Sequence, residues 1–127
     1  LSDADVLTSE QVKTMAKNPI IFALANPKPE IDPQIAKDAD AAVMATGSSQ
    51  YPNQVNNILV FPGLYKGLLS ADLNKVDFGL EKAIASALAN MISNPTAEKI
   101  VPGVFDDGVV NTVAKAVQHY ASQKNND

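Results

Sequence analysis

The sequence has 127 residues, 46% hydrophobic and 19% charged, which is the composition of about one globular domain rather than a disordered chain. The net charge is −4 and all ten Lys/Arg residues are Lys, which argues against nucleic-acid binding and leaves no Arg to pair bidentately with a carboxylate. There is no Cys, which excludes disulfides and thiolate metal sites, and no apolar run approaches the roughly 20 residues that span a bilayer.

Two helices are predicted near the start of the chain. Thr8 and Gln11 have the spacing of a capping box, which predicts a helix that runs to about Lys17 and stops before a proline. A second, short helix is predicted over residues 32–38, because its first two residues, Asp and Pro, provide an N-cap and a favourable first helical position.

Two short, continuous apolar runs, Ile20–Leu24 and Ala41–Ala45, each follow one of these helices. Such runs are typical of parallel strands that are buried on both faces. The order helix, strand, helix, strand therefore predicts an α/β fold with a parallel sheet. Because two strands are too few for an independent sheet, we expect them to be the closing half of a doubly wound sheet whose opening half precedes Leu1.

The second half of the chain has a helical pattern. A short helix is expected to restart at Pro62, Asp77 can cap a long helix that runs to about Ile92, and Asp106 or Asp107 can cap the last helix. The long helix has an apolar stripe with spacings of three and four residues. The residues of this stripe are Leu80, Ile84, Leu88 and Met91.

The change from sheet to helices is predicted near Asn56, which divides the chain into residues 1–56 and 57–127. A polar loop, Thr46–Asn53, follows the second strand just before this boundary. Open α/β sheets bind their ligands beyond the carboxyl ends of the strands. This loop is therefore a candidate part of a binding site.

The first candidate motif, Ala23–Glu30, begins where the first strand ends and the chain turns outward. It leaves Asn26 at the carboxyl end of the strand, with two hydrogen-bond donors and an acceptor that suit a hydroxyl or a carboxylate. Asn-Pro is also a common loop opener, so the spacing alone favours a simple turn over a ligand contact.

The second candidate motif, Pro52–Gly63, places four amide side chains just before a strongly apolar run. Amides in such a place can cap a helix, or they can be neutral donors to an anionic ligand at the positive end of the helix. The spacing supports both interpretations equally. The four amides are Asn53, Gln54, Asn56 and Asn57.

Together these motifs resemble those of the smaller malic enzymes of bacteria. The resemblance rests on Ala-Asn-Pro-x-Pro-Glu at 25–30, Ala-Thr-Gly at 45–47 and Pro-Asn-Gln-x-Asn-Asn-x-Leu-x-Phe-Pro-Gly at 52–63, in this order. Leu-Tyr-Lys-Gly at 64–67 and Val-Pro-x-x-Phe-Asp at 101–106 extend it over nearly the whole chain.

The resemblance implies the C-terminal part of such an enzyme. Residues 1–56 would be the end of its Rossmann-like, dinucleotide-binding domain, and residues 57–127 a helical return that packs on the catalytic domain upstream. In that family the enzyme oxidises malate with NAD or NADP and decarboxylates the product to pyruvate and carbon dioxide, using Mg or Mn.

The resemblance also implies site residues. Asn26, Asn56 and Asn57 would bind the substrate, and Asn26, Gly47 and Asn56 would bind the cofactor. The family's Gly-rich dinucleotide turn, its Tyr and Lys acid/base pair, its acidic metal ligands and its substrate Arg have no counterpart in this sequence. We therefore expect no catalytic residue and no metal ligand in this chain, and no activity from the chain alone.

The loop at 47–54 departs from the family pattern, which usually reads Gly-Arg-Ser-Asp-Phe-Pro-Asn-Gln. Ser48 and Gln50 stand where the pattern has Arg and Asp. Losing both partners of a possible ion pair together can be nearly neutral, so the fold prediction is unaffected. If members of the family use that Arg and Asp to contact the cofactor or another subunit, we do not expect the same contact in this chain.

The chain starts with Leu1 rather than Met, and its first residues are acidic, unlike a secretory signal peptide. We therefore expect a piece of a longer, soluble cytoplasmic enzyme. Its expected partners are malate or pyruvate, the nicotinamide cofactor, the upstream part of the same enzyme and further copies of itself, but neither nucleic acid nor a membrane. Two alternatives are a malolactic-type enzyme, which releases lactate, and a non-catalytic nucleotide-binding or scaffold module.

Overall fold

The computed structural model describes residues 2–124; Leu1 and the last three residues of the predicted helical region lie outside the described residues. The chain divides into two compact units. The first comprises the chain up to Asn56 together with Asn94–Ile100, and the second comprises Asn57–Ser93 and the chain from Val101 onward. No helix within the described residues is both long enough and apolar enough to cross a membrane.

The first unit is an α/β arrangement with two parallel strands, as the sequence predicts. In register, Ile20 lies opposite Val43 and Ala23 lies opposite Thr46. The strands therefore end at the same edge of the sheet. In chain order the elements are α1 (Ser9–Lys13), β1 (Ile20–Ala23), α2 (Pro33–Asp38) and β2 (Val43–Thr46).

Both predicted caps are present in the first unit. The Thr8 hydroxyl accepts the Gln11 N–H at 3.2 Å, and the Gln11 amide oxygen accepts the Thr8 N–H at 2.8 Å. The Asp32 carboxylate accepts the N–H of Gln34 at 2.8 Å. These bonds satisfy N–H groups that have no partner within the helix.

Two boundaries of the first unit differ from the predictions by two or more residues. α1 ends at Lys13 rather than near Lys17, because the Gln11 carbonyl already accepts both the hydroxyl and the N–H of Thr14, which closes a tight last turn. β2 begins two residues later than predicted. The Ala41 N–H bonds back to the Ala36 carbonyl at 3.0 Å, so Ala41 is still part of the turn that follows α2.

One face of the sheet carries the core of the first unit. Ile21 and Ala23 are buried, whereas Ile20 and Phe22 are 67% and 49% exposed. The prediction that β1 is buried on both faces is therefore wrong for the described residues, because none of them covers its second face. The buried cluster consists of Val12, Ile21, Ala23, Ile31, Ala36, Ala39 and Met44.

The second unit is helical. Its elements are a 3-10 turn (Asn57–Leu59), α3 (Phe61–Ser70), α4 (Phe78–Ala89) and α5 (Val109–Lys124). Asp77 caps α4 by accepting the Leu80 N–H at 3.0 Å, as predicted. α4 ends at Ala89 rather than near Ile92, because three-residue hydrogen bonds such as Ile92 N–H to the Ala89 carbonyl tighten its last turn.

The core of the second unit forms where α4 and α3 pack against α5. The predicted stripe of α4 is buried at Leu80, Ile84 and Leu88, and Met91 packs against it partly buried. Gly63 and Gly67, four residues apart in α3, lie directly against α5. A Cβ atom at Gly63 would come within 2.5 Å of the Val113 Cβ. The two helices therefore lie closer together than a side chain at this position would allow.

Candidate functional site

The ends of β1 and β2 bring two of the predicted site residues together. Asn26 lies in the turn after β1, and Gly47 immediately follows β2. A Cβ atom at Gly47 would lie 2.8 Å from Asn26 Nδ2, so the Asn26 amide lies directly against Gly47. The parallel pairing of the strands places both residues at the edge where α/β proteins bind ligands.

The Gly47 carbonyl adds a third predicted residue to this site. It accepts the side-chain amide of Asn56 at 3.3 Å and that of Gln54 at 3.4 Å. Asn26, Gly47 and Asn56, which are far apart in sequence, therefore converge around one peptide group.

Asn57, the remaining predicted site residue, lies in the second unit. It is exposed as the first residue of the 3-10 turn, and its backbone carbonyl accepts the Val60 N–H at 3.0 Å. α3 follows directly, and its N-cap position, Val60, makes no side-chain capping bond. The N-cap position of α3 is therefore not one of the four amides of the second motif.

Asn53 has a structural task that the sequence analysis did not separate from the other amides. Its buried side chain donates to the Met44 carbonyl at 2.9 Å and to the Ala97 carbonyl at 2.8 Å, and it accepts the Ile100 N–H at 2.8 Å. Its φ of 55°, in the left-handed region that Asn tolerates, was not visible as a signal in the sequence. Asn53 thus fastens residues 94–100 to β2.

Glu30 is a second residue that the sequence analysis missed. Its carboxylate accepts the backbone N–H of Ala25 at 3.0 Å and so closes the turn that carries Asn26. Burial raises the pKa of the Glu30 carboxyl, but hydrogen bonds from the backbone N–H groups of Ala25 and of Glu30 itself outweigh it and hold the pKa below its ordinary value. Glu30 ends the Asn-Pro motif in the sequence, but no recurring pattern there would have revealed this bond.

A cavity of about 390 Å³ opens beside this turn. It is lined by Ser2, Leu24, Ala25, Asn26 and Glu30. Glu30 is the only ionisable side chain among these residues, and its carboxylate is already engaged by Ala25. The Asn26 amide can therefore orient a ligand in this cavity, while the Glu30 carboxylate holds the turn.

The loop after Gly47, where the sequence departs from the family pattern, is held by hydroxyl groups. The buried Thr46 hydroxyl accepts the Ser48 N–H at 3.2 Å, and the Ser48 hydroxyl accepts the Gln50 N–H at 3.2 Å. These short local bonds order the loop without the Arg and Asp of the pattern. Across residues 2–124, no group of three or more His, Cys, Asp or Glu side chains could hold a metal ion.

Comparison with known protein families gives a match over residues 2–122 to the family described as malic enzyme, NAD binding domain. The chain is 44% identical over 125 residues to the bifunctional malic/malolactic enzyme of Bacillus subtilis, covering 97% of this chain and 30% of that protein. It is 43% identical over 119 residues to the NAD-dependent malic enzyme of Geobacillus stearothermophilus, covering 92% and 25%.

Solved structures agree. The malic enzyme from Pyrococcus horikoshii matches with a TM-score of 0.91 and 36% identity, covering 97% of this chain and 28% of that one. The NAD-dependent malic enzyme from Thermotoga maritima matches with a TM-score of 0.85 and 43% identity, covering 92% and 30%. These matches confirm the resemblance drawn from the motifs, and the chain spans less than a third of each of these relatives.

Proposed function

This chain belongs to the malic enzyme family, and from that premise we propose that it is part of an enzyme that oxidises and decarboxylates malate to pyruvate and carbon dioxide with NAD or NADP. The observation that carries the proposal is the convergence of Asn26, Gly47 and Asn56 at the carboxyl ends of β1 and β2. That edge is where open α/β sheets bind nucleotides.

The residues of the site fit the nicotinamide end of such a cofactor. Gly47 has no side chain where a Cβ would collide with Asn26, and the Asn26 amide can both donate and accept beside the cavity. The nicotinamide, when bound, supplies the acceptor for a hydride from malate. In the proposed enzyme, Asn26, Asn56 and Asn57 orient malate and the nicotinamide ribose, and such orientation can contribute several kcal/mol to lowering the barrier.

The described residues do not fit the divalent metal that the family uses, because they hold no suitable cluster of ligands. We propose that the Mg or Mn ligands, the acid/base pair and the Arg that binds malate come from the part of the enzyme outside this chain. Consequently, this chain supplies binding and orientation, and it transfers no proton in the reaction.

The second unit carries an apolar surface that suits a domain contact. α3 and α4 border a cavity of about 520 Å³ whose lining is mostly aliphatic and aromatic, and Leu69 and Phe78 nearby are 83% and 79% exposed. Exposed apolar patches of this kind mark interfaces. We assign this surface to packing against the upstream catalytic domain, within a cytoplasmic enzyme that assembles as a homo-oligomer.

A malolactic activity is the second candidate. It is favoured by the Bacillus subtilis relative, whose name gives both activities. The two outcomes differ in whether pyruvate leaves the site or is reduced to lactate before release. Product analysis of the full-length enzyme distinguishes them, since the malic reaction accumulates pyruvate and reduced cofactor, whereas the malolactic reaction accumulates lactate without net reduction.

The proposed function is tested in the full-length enzyme with Asn26→Ala, Asn56→Ala and Asn57→Ala. A hydrogen bond to a charged group contributes about 1.5–3 kcal/mol, so each variant is expected to raise KM for malate or lower kcat by roughly tenfold or more. Asn74→Ala, at an exposed position of the loop before α4, is the matched control and should retain wild-type kinetics.

Unchanged kinetics in all three variants would show that these amides only support the fold. A full-length protein with no metal-dependent reduction of NAD or NADP by malate would instead refute the enzymatic proposal. That result would favour the non-catalytic nucleotide-binding or scaffold module.

A further inference from the structure

The turn after β1 depends on a side chain for its shape. β1 ends at Ala23, so the Ala25 N–H has left the strand ladder, and it is the Glu30 carboxylate that accepts it at 3.0 Å. An amide N–H without a partner is costly in a folded chain. The Glu30 carboxylate therefore fixes the backbone immediately before Asn26.

Glu30 is itself held in place from a second direction. Its backbone carbonyl accepts the Leu7 N–H at 2.9 Å. The backbone of Glu30 is thus anchored by the segment that precedes α1, while its carboxylate bonds to Ala25. Glu30 is partly buried, and these contacts restrict the rotamers that its side chain can adopt.

Asn26, in contrast, has no anchor of its own. Its exposed side chain makes no hydrogen bond to other residues between 2 and 124, and it lies directly against Gly47. The direction of the Asn26 amide therefore follows from the backbone of the turn and from the close approach of Gly47. The backbone of the turn is what Glu30 controls.

We propose that Glu30 is a positioning residue for malate oxidation, which acts through Asn26 by fixing the Ala25 peptide. This inference rests on the proposed function. Glu30 does not touch the reacting atoms. Residue 30 must place an acceptor oxygen at the reach of a Glu side chain, because the group that it binds is the neutral N–H of Ala25.

Two substitutions separate the acceptor from the charge. Glu30→Gln keeps an acceptor oxygen at the same reach and removes the charge, whereas Glu30→Asp keeps the charge and retracts the oxygens by one methylene. In the full-length enzyme we expect kcat to fall about tenfold in Glu30→Asp and Glu30→Ala, and to stay within about threefold of wild type in Glu30→Gln. Glu98→Ala, which removes an exposed ion pair with Lys37 in the same unit, is the control.

A merely structural role is excluded by coupling to Asn26. If Glu30 acts through Asn26, Glu30→Ala should have less than about twofold further effect on kcat in an Asn26→Ala enzyme. If Glu30→Ala does not fold, two other measurements test the proposal. The first compares Glu30→Gln with Glu30→Asp, and the second introduces Glu30→Asp into the Asn26→Ala enzyme.

Wild-type kcat in Glu30→Asp and Glu30→Ala, or full multiplication of the Glu30 and Asn26 effects, would overturn the inference while leaving the proposed function intact. A wild-type enzyme that does not oxidise malate would overturn both. A tenfold loss in Glu30→Gln with wild-type kcat in Glu30→Asp would also overturn it, because charge rather than acceptor position would then decide.

Discussion

The close packing of α3 on α5 predicts that Gly63→Ala destabilises the second unit, although alanine is the better helix former. The new methyl group would lie 2.5 Å from the Val113 Cβ and 2.6 Å from the Val110 carbonyl oxygen. The carbonyl belongs to the backbone of α5, so it cannot move away as a side-chain tip can. The helices must instead separate by nearly 1 Å to restore ordinary contact distances.

The magnitude follows from two opposed effects. Alanine in place of glycine inside a helix is worth about 1 kcal/mol of intrinsic propensity. Overpacking a well-filled interface costs typically about 1–3 kcal/mol, and a gap of about 1 Å along the interface forfeits a quarter to a half of each dispersion contact. The difference is a net destabilisation of about 0–2 kcal/mol, and its middle value of about 1 kcal/mol corresponds to a fall in Tm of roughly 4–8 °C for a unit of this size.

The assay is thermal unfolding of the full-length enzyme together with hydrogen exchange of the peptides that contain α3 and α5. Gly63→Ala should lower Tm and speed exchange in both helices. Leu69→Ala is the control, since that side chain of α3 is 83% exposed and its loss should change stability little. A Tm equal to or above that of the wild type, with unchanged exchange, would refute the reasoning.

Four further predictions follow. Asn53→Ala should destabilise the full-length enzyme by about 2–4 kcal/mol in urea titrations, because it leaves buried partners of three hydrogen bonds unsatisfied; a loss below about 0.5 kcal/mol would contradict this. The Lys124 ammonium, then the Tyr120 hydroxyl and the Leu80 N–H, hold the pKa of Asp77 below its ordinary 3.8. Its stabilising contribution is therefore present above about pH 3.8 and lost as the pH falls below it, and Asp77→Asn should remove that pH dependence of Tm, whereas Asp107→Asn should not. The 127-residue chain alone should form no NADH or NADPH from malate and metal, which a spectrophotometric assay at 340 nm checks. The same chain should associate at micromolar concentration in light scattering, because within residues 2–124 β1 and β2 form a sheet of only two strands, whose outer edges are largely unpaired; a monomer with a sharp, high Tm would contradict this.

Local chemistry made several elements predictable from the sequence. The caps at Thr8, Asp32 and Asp77 each involve a partner two or three residues away, so a short pattern is enough to reveal them. The apolar runs of β1 and β2 and the stripe of α4 likewise repeat over a few residues. The α/β order, the helical second half and the family resemblance all followed from such patterns.

The site itself could be predicted only in part. The motifs identified Asn26, Gly47 and Asn56 as candidates, but spacing alone did not separate a ligand contact from a turn or a cap. Their convergence depends on parallel pairing of β1 with β2, which brings together residues 21 positions apart, Asn26 and Gly47. Glu30 was overlooked because its bond to Ala25 has no recurring sequence signature.

Only the tertiary structure decided the roles that depend on distant partners. Asn53 differs from its neighbouring amides because residues 94–100 return to β2 and place the Ala97 carbonyl and the Ile100 N–H beside it. Gly63 and Gly67 are required because α5 lies against them, not because of anything in α3. The sequence by itself determined the features whose partners lie a few residues apart, such as caps and apolar stripes. Contacts between distant residues were decided by packing, because the position of the partner then depends on the whole fold.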